Sequence, residues 1–324
     1  MKQRIKFSYT TFAVLGLLSI TGCDDDNDSI TGFERGKLTW ERIYSSDSTD
    51  YYSMTVSDDG VLYVGTGNRN ILRYDEIGDS MLVIREDFIP GTVLSMATSK
   101  NGTVYAGDFQ GILRSSNGGQ DWEEINIGME SAAIYDIDIN GAGEIFIATG
   151  KGVFVSNNDG DNWTSLPIDS TVSSVATIAV SPNGNLFAGT AVDSGVYRST
   201  DNGLSWVKVI DFRTSEIAVN SNGDIFAGSS RFEQSFIRST DGGISWSEIG
   251  PFAINSIKSV VFDSQDDVYL VNRGGIFRSF DNGDTWIVSN DGLTSSFIRT
   301  MAVSENDVFY CGVDYDGIFR GTFN

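Results

Sequence analysis

Apolar runs of four to six residues alternate along this chain with turns rich in glycine, asparagine and aspartate. In the middle of the chain, residues 177–180 lead into a Ser-x-Asn-Gly turn, and residues 186–189, 195–199 and 206–209 form the next three runs. Runs of this length, rich in β-branched and aromatic residues and bounded by such turns, are typical of antiparallel hairpins. The pattern therefore predicts a unit of four strands in about 40 residues, which is the size of a propeller blade.

The same unit recurs seven times, and its last copy is incomplete. Residues 317–321 form the third run of the last unit, and no fourth run follows them. Residues 38–43 (Leu-Thr-Trp-Glu-Arg-Ile) resemble the fourth run that begins at Trp122 (Trp-Glu-Glu-Ile), although no unit begins there. The seven units span residues 51–86, 92–126, 133–167, 174–210, 213–250, 257–290 and 297–324.

These observations predict an all-β fold, a seven-bladed β-propeller of four-stranded antiparallel blades. The strand at residues 38–43 should complete blade 7, so that both ends of the domain meet in one sheet. This pairing would remove two exposed strand edges and lock the ring.

A second regularity lies between the third and fourth runs of five units, where the chain reads Ser-x-Asp/Asn-x-Gly-x-x-Trp. The tryptophans are 41, 43, 40 and 40 residues apart, and in the first unit residues 75–81 occupy this place with methionine instead of tryptophan. The glycine supplies a backbone geometry that a Cβ would hinder, and the serine and aspartate can bind turn amides. We expect each tryptophan to pack into its own blade. The five copies begin at Ser115, Ser156, Ser199, Ser239 and Ser279.

This motif resembles the Asp-box, or BNR repeat, of a propeller superfamily. Its members include sialidases, xyloglucan-type glycosidases, sortilin-like receptors and photosystem II assembly factors. The resemblance covers nearly all of the chain after its first 36 residues, and it implies the fold but no particular activity.

The sequence does not match the characteristic features of two groups of enzymes in this superfamily. Sialidases have six blades and a Phe-Arg-Ile-Pro motif, whereas the nearest string here, Phe88-Ile89-Pro90, lacks the arginine. Xyloglucan-type enzymes place their site between two propellers, and this chain has one.

Composition narrows the possible chemistry. There is no histidine, so the commonest general base and the commonest metal ligand are missing. The formal net charge of −22 opposes nonspecific binding of nucleic acid, because phosphate repels a surface rich in carboxylates. We expect no cofactor, no bound metal and no nucleic-acid partner.

The amino terminus has the features of a targeting segment. Lys2, Arg4 and Lys6 precede an apolar stretch at residues 12–20 that is too short to span a bilayer. The following Ile-Thr-Gly-Cys at residues 20–23 resembles the bacterial lipobox, which implies a signal peptide at residues 1–22 and lipidation of Cys23. An ordinary cleaved signal that leaves Cys23 free is the alternative.

Acidic residues at positions 24–26 and 28 follow the cysteine. They resemble the export tag of surface lipoproteins in some Gram-negative bacteria, which implies an outer-membrane lipoprotein exposed on the cell surface; a periplasm-facing anchor is the alternative. Residues 23–36 would form the anchored acidic linker, and residues 37–324 the propeller. Cys311, in the apolar run 308–311, should be buried and inert.

Candidate binding residues lie in loops predicted on the face opposite the Asp-boxes. Aromatic side chains and arginine are favoured at interfaces, so cations and aromatics at this rim could form a binding patch for a protein or glycan. Ordinary loop decoration is the alternative. The candidates are Arg69, Phe109, Arg213, Arg231, Phe232, Arg273 and Tyr315. The same loops also contribute Lys151, Asp193, Asp314, Phe88, Phe212, Phe252 and Phe297.

Three acidic residues interrupt the small and hydroxyl residues of the first strands. When the seven units are aligned, Asp136, Asp138 and Glu216 fall in two neighbouring columns that face the central channel. Carboxylates there could act as an acid/base pair or hold a cation, or they could be hydrated channel-lining groups.

The sequence therefore favours a non-enzymatic, lipid-anchored propeller that binds a protein or glycan through the face opposite the Asp-boxes. The alternative is a surface glycosidase or polysaccharide lyase that uses Asp136, Asp138 or Glu216.

Overall fold

In the computed structural model, the described part of the chain forms seven four-stranded antiparallel sheets. The structure describes residues 36–85, 91–128, 132–170, 172, 174–190, 195–229, 236–250 and 257–323. The predicted signal peptide, Cys23, nearly all of the linker, Phe88, Asp193, Arg231, Phe232 and Phe252 lie outside these residues. Within them, no helix combines the length and the apolar character needed to cross a membrane.

Each blade has the strand order predicted from the repeat. The inner strands are β2 (Tyr51–Val56), β6 (Ser95–Thr98), β10 (Ile134–Ile139), β14 (Val175–Val180), β18 (Glu216–Val219), β22 (Ser259–Phe262) and β26 (Ile298–Val303). The second strands are β3 (Leu62–Thr66), β7 (Val104–Gly107), β11 (Ile145–Thr149), β15 (Leu186–Thr190), β19 (Ile225–Gly228), β23 (Val268–Asn272) and β27 (Phe309–Val313).

The two outer positions complete the blades. The third strands are β4 (Ile71–Asp75), β8 (Ile112–Ser115), β12 (Gly152–Ser156), β16 (Gly195–Ser199), β20 (Ile237–Ser239), β24 (Gly275–Ser279) and β28 (Gly317–Phe323). The outer strands are β5 (Ser80–Arg85), β9 (Glu123–Ile125), β13 (Thr164–Leu166), β17 (Val207–Ile210), β21 (Ser247–Glu248), β25 (Ile287–Val288) and β1 (Leu38–Ser45).

The second strands are buried along their whole length, because both faces of each blade pack on neighbouring blades. This packing explains their continuous apolar runs. The next blade packs so closely on second strands such as β7 and β27 that one position in each has room only for glycine. A Cβ on Gly107 would lie 2.6 Å from Ile134 of the next blade, and one on Gly312 would lie 2.5 Å from Tyr51. The hydrophobic core is therefore a ring of clusters between blades, and Cys311 is buried in one of them as predicted.

The predicted closure of the ring is confirmed. Strand β1 pairs antiparallel with β28, with Leu38 opposite Phe323 and Trp40 opposite Gly321, and it continues to Ser45. Trp40 is 5% exposed, and its indole N–H donates a 2.8 Å hydrogen bond to the carbonyl of Ser289. The N-terminal strand is thus the outer strand of blade 7, whose other three strands come from the C-terminal end.

The Asp-boxes join the third and fourth strands as expected. In blade 6, the buried Ser279 hydroxyl accepts the N–H of Gly283 at 2.7 Å, and the Trp286 indole N–H donates to the carbonyl of Gly283 at 2.9 Å. Trp286 is half-buried and packs on Phe236 of the preceding blade, 6.1 Å between ring centroids. Trp286 therefore packs on a cluster that contains Phe277 of its own blade as well as Phe236 of the preceding one.

Candidate functional site

The two faces of the propeller differ in which connections they carry. Because the strands of each blade alternate in direction, the Asp-boxes and the turns after the inner strands share one face, here called the Asp-box face. The opposite face carries the loops between second and third strands and the segments that lead into each blade. The starts of all seven inner strands therefore converge on this opposite face.

A cavity of about 320 Å³ opens there on the axis, and it is called the channel mouth below. It is lined by the first residues of the inner strands and the residues just before them, and nearly all of its lining is polar. Its charged side chains are Asp136 and Glu216 on blades 3 and 5, and Lys258 and Arg299 on blades 6 and 7.

The Asp136 carboxyl group bridges two blades. One oxygen accepts the backbone N–H of Ile178 and the hydroxyl of Thr177, both at 2.9 Å, from the inner strand of blade 4. The other oxygen accepts the N–H of Ile137 in its own strand at 2.9 Å. The edge of each inner strand that faces the channel has no paired strand. Its backbone N–H groups that point into the channel therefore need other acceptors.

Asp138 and Glu216 make the same kind of bridge. Asp138 accepts the N–H of Val180 at 2.7 Å, two residues further along the inner strand of blade 4. Glu216 accepts the N–H of Val260 on blade 6 at 3.1 Å. All three predicted channel carboxyl groups therefore connect their blade to the next one.

Burial changes the acidity of these groups. Loss of bulk water, together with the nearby Asp138, raises the pKa of Asp136 to about 6 in spite of its hydrogen bonds. Burial and the charge of Asp136 raise the pKa of Glu216 to about 8. The pKa of Asp138 is also raised by burial. The side chains are half-exposed by area, but water confined to a narrow channel solvates a carboxylate less well than bulk water.

The two cationic side chains of the channel mouth, Arg299 and Lys258, have different neighbours. Arg299 pairs with Asp314 at 2.5 Å and lies over the Tyr52 ring, 4.7 Å from its centroid. Burial, followed by the charges of Arg299 and Arg273, lowers the pKa of Lys258. Cationic charge is thus concentrated on one side of the cavity.

Sequence reasoning missed Lys258, Arg299, Tyr52 and Tyr135. Each of them comes immediately before a member of the first aligned column, at Ser259, Thr300, Ser53 and Asp136 respectively. The column one position earlier reads Tyr52, Leu94, Tyr135, Ala176, Ser215, Lys258 and Arg299. This column carries larger and more varied side chains than its neighbours, which is the signal that could have revealed the mouth.

Arg69 does not occupy the rim position expected of it. It is 3% exposed, and its guanidinium lies 2.5 Å from the equally buried carboxylate of Asp108 on the next blade. Removal of one partner from a buried ion pair strongly destabilises the fold, because the other charge is left buried and unpaired. Arg69 therefore connects blades 1 and 2, because the loop after β3 turns inward against blade 2.

Other predicted rim residues are accessible on this face. Phe109 is 53% exposed and Tyr315 61% exposed, and Phe297 beside Tyr315 is 72% exposed. Arg273 is exposed, whereas Arg213 is half-buried. Their role in ligand binding remains a prediction.

Tyr315 has an unusual backbone. Its φ is 59°, in the left-handed region that bulky residues rarely occupy. Its N–H donates to the carbonyl of Thr49 at 3.1 Å, so blade 7 is held to the segment that leads into blade 1. Such strain is concentrated at functional sites in many proteins.

Within residues 36–323, apart from the gaps given above, no group of three or more Cys, Asp or Glu side chains is arranged to hold a metal ion.

Seven blades, five of which carry an Asp-box, define a class, the seven-bladed Asp-box β-propeller. Residues 90–315 match the family described as photosynthesis system II assembly factor YCF48. This match spans more than half of the chain, and the chain therefore belongs to that family. None of the curated protein sequences matches it.

Solved structures share the fold at low identity. A YCF48 bound to D1 peptide is 15% identical, with a TM-score of 0.69 over 91% of this chain and 100% of that one. A catalytically inactive histidine-to-alanine variant of virginiamycin B lyase from Staphylococcus aureus, solved with quinupristin, is 16% identical, with a TM-score of 0.70 over 89% of this chain and all of that one.

A glycosidase has the same architecture in half of its length. The GH74 xyloglucanase from Xanthomonas campestris is 16% identical, with a TM-score of 0.68 over 87% of this chain but 53% of that one. At these identities, the likeness shows the fold alone.

Proposed function

We propose that this protein is a non-enzymatic propeller that binds a protein partner through the face opposite the Asp-boxes. The observation that carries the proposal is membership of the YCF48 family, together with a relative of matching length that was solved with a peptide bound. Exposed aromatic and cationic side chains on this face are the type that dominates protein interfaces. A glycan partner is the other outcome of the test below.

We further propose that Cys23 carries a lipid anchor and that the protein is displayed on the outer membrane surface. Strand β1 begins at Leu38 beside Phe323, at the Asp-box end of blade 7. The described part of the chain therefore begins on the Asp-box face.

The anchor can be tested separately from binding. Metabolic labelling with a fatty-acid analogue should modify the wild type and leave Cys23→Ser unlabelled, and protease added to intact cells should digest the wild type. A labelled protein that resists the protease would place it in the periplasm.

The binding face is tested with paired variants in the full-length protein. Phe297→Ser with Tyr315→Ser should reduce capture of the partner about tenfold or more, because exposed aromatics commonly act as hot spots. Leu204→Ser with Ile244→Ser is the matched control, since these side chains are 84% and 74% exposed on the Asp-box face. An equal reduction of partner capture in both double variants would contradict the proposed binding face.

Glycan cleavage is the second candidate, and the acidity of Glu216 favours it. A carboxyl group with a pKa of about 8 is protonated at neutral pH and could donate a proton to a leaving group. Against it, Asp136, Asp138 and Glu216 all accept backbone N–H groups from neighbouring blades.

Activity on a panel of polysaccharides decides between the two candidates. Under the binding proposal, wild type and Glu216→Gln should both leave every polysaccharide intact. Cleavage by the wild type that disappears in Glu216→Gln would establish the enzyme.

A further inference from the structure

The two charged sides of the channel mouth do not neutralise each other. Among the described residues, no ion pair joins Asp136 or Glu216 to Lys258 or Arg299. Arg299 is instead paired with Asp314, and the Lys258 ammonium has no described carboxylate within ion-pair distance. One cavity thus holds a cationic side on blades 6 and 7 and an acidic side on blades 3 and 5.

The local electrostatics leave both sides in need of a counter-charge. Arg299 and Arg273 act on Lys258 as like charges, and Asp314 acts on it in the opposite direction. Asp136, with a pKa of about 6, is ionised at neutral pH, whereas Glu216, with a pKa of about 8, is protonated. Charges that face like charges in a poorly solvated cavity are stabilised by an incoming group of opposite sign. A lone anion would satisfy the cationic side only, and a lone cation the acidic side only.

A second cavity differs from the mouth in charge. It lies on the Asp-box face between the turns that follow the inner strands of blades 3, 4 and 5 and measures about 590 Å³, and the residues that line it include Asn140, Ser181 and Asn220 but no charged side chain. The mouth itself lies at the small end of the range for ligand pockets, so it suits a small molecule rather than a polymer.

We propose that the channel mouth binds a small zwitterion of the α-amino-acid kind, with its carboxylate on Lys258 and its ammonium toward Asp136. The site lies within the face proposed for partner binding, but it does not depend on that proposal. Arg299 borders the carboxylate position and remains paired with Asp314.

Calorimetric titration of the intact protein tests the proposal with matched probes. L-alanine, L-serine and L-glutamine are the zwitterions, and propionate and ethylammonium are alanine without its ammonium and without its carboxylate. At least one amino acid should bind at millimolar concentration or below, and both singly charged probes should bind about tenfold or more weakly. Equal binding of propionate and alanine, or no binding of any amino acid, would overturn the proposal.

Variants locate the site. Lys258→Met and Asp136→Asn should each weaken amino-acid binding about tenfold or more at neutral pH. Lys151→Met is the charge-matched control, because Lys151 is exposed on the same face outside the mouth. Circular dichroism confirms that each variant is folded. Unchanged affinity in folded Lys258→Met would contradict the assignment, and partner capture by the same variants shows separately whether the binding face is intact.

Discussion

Asp136, Asp138 and Glu216 supply hydrogen bonds that the inner strands of a propeller cannot exchange with one another. Neighbouring inner strands lie side by side around the axis, but each belongs to a different sheet. A carboxyl group that reaches the N–H of the next blade satisfies a donor that would otherwise depend on channel water. The raised pKa values follow from this location, because the bridge is made where bulk water is scarce.

This arrangement predicts a dependence of stability on pH. The folded pKa of Glu216, about 8, lies above its ordinary value of 4.5, so the folded state holds this proton more tightly than the unfolded state. The resulting stabilisation is fully present below about pH 4.5 and is lost as the pH rises to about 8. Glu216→Gln should therefore gain stability relative to wild type as the pH rises, on the order of 1 kcal/mol once channel water is allowed for.

Thermal unfolding from pH 5 to pH 9 measures this difference. Exposed Glu305→Gln is the control for the loss of one carboxylate. A difference between Glu216→Gln and wild type that does not change with pH would mean that Glu216 is solvated like a surface carboxylate.

Close packing between blades gives a second prediction at the residue scale. Gly107→Ala would place a Cβ 2.6 Å from Ile134, and the overpacking should lower the free energy of unfolding by about 1–3 kcal/mol. Gly141→Ala is the matched control, since nothing lies within 4 Å of its added Cβ. Denaturant titration of the two variants should separate them, and equal midpoints would show that blade 3 can move away.

Among structural elements, the Asp-box connects blades as well as strands. Its serine and tryptophan fix the turn, while the indole ring covers the flank of the preceding blade. Blade 1, where the box has decayed, has a tight turn instead. The Tyr74 hydroxyl donates to Asp79 at 2.8 Å, and Ile77 at the tip is 99% exposed.

Trp286→Ala should therefore cost stability without opening its own hairpin. The ring is half-buried, so the expected loss is about 2 kcal/mol, less than for a fully buried tryptophan. Hydrogen exchange should show faster exchange in strand β20 of the preceding blade, beside Phe236. Protection lost in β24 and β25 alone would show that the ring serves only its own blade.

For the whole molecule, ring closure is the feature that the sequence determined most fully. The orphan fourth run at residues 38–43 could be assigned to blade 7 because every other blade already had four runs. Deleting residues 24–46 should remove the buried Trp40 and expose the edge of β28, at a cost of about 3–5 kcal/mol from Trp40 alone. Deleting residues 24–36 should leave the melting temperature unchanged, and equal melting of the two truncations would contradict the closure.

The candidate site was less accessible to sequence reasoning. Strand register placed Asp136 and Glu216 beside the channel, since a repeat fixes which positions share a column. It could not show that Arg69 turns inward to Asp108, because a loop's path depends on packing that has no period. Nor could it show that Lys258 and Asp136 share one cavity, because only closure of the ring brings blades 3 and 6 together.

The claim that the partner binds the face opposite the Asp-boxes is tested most directly by photo-crosslinking in cells. A photoreactive amino acid is placed at Tyr315 in one strain and at Leu204 in another, since both side chains are exposed and they lie on opposite faces. We expect a crosslinked protein from position 315 and none from position 204. A crosslinked protein from position 204 alone would contradict it.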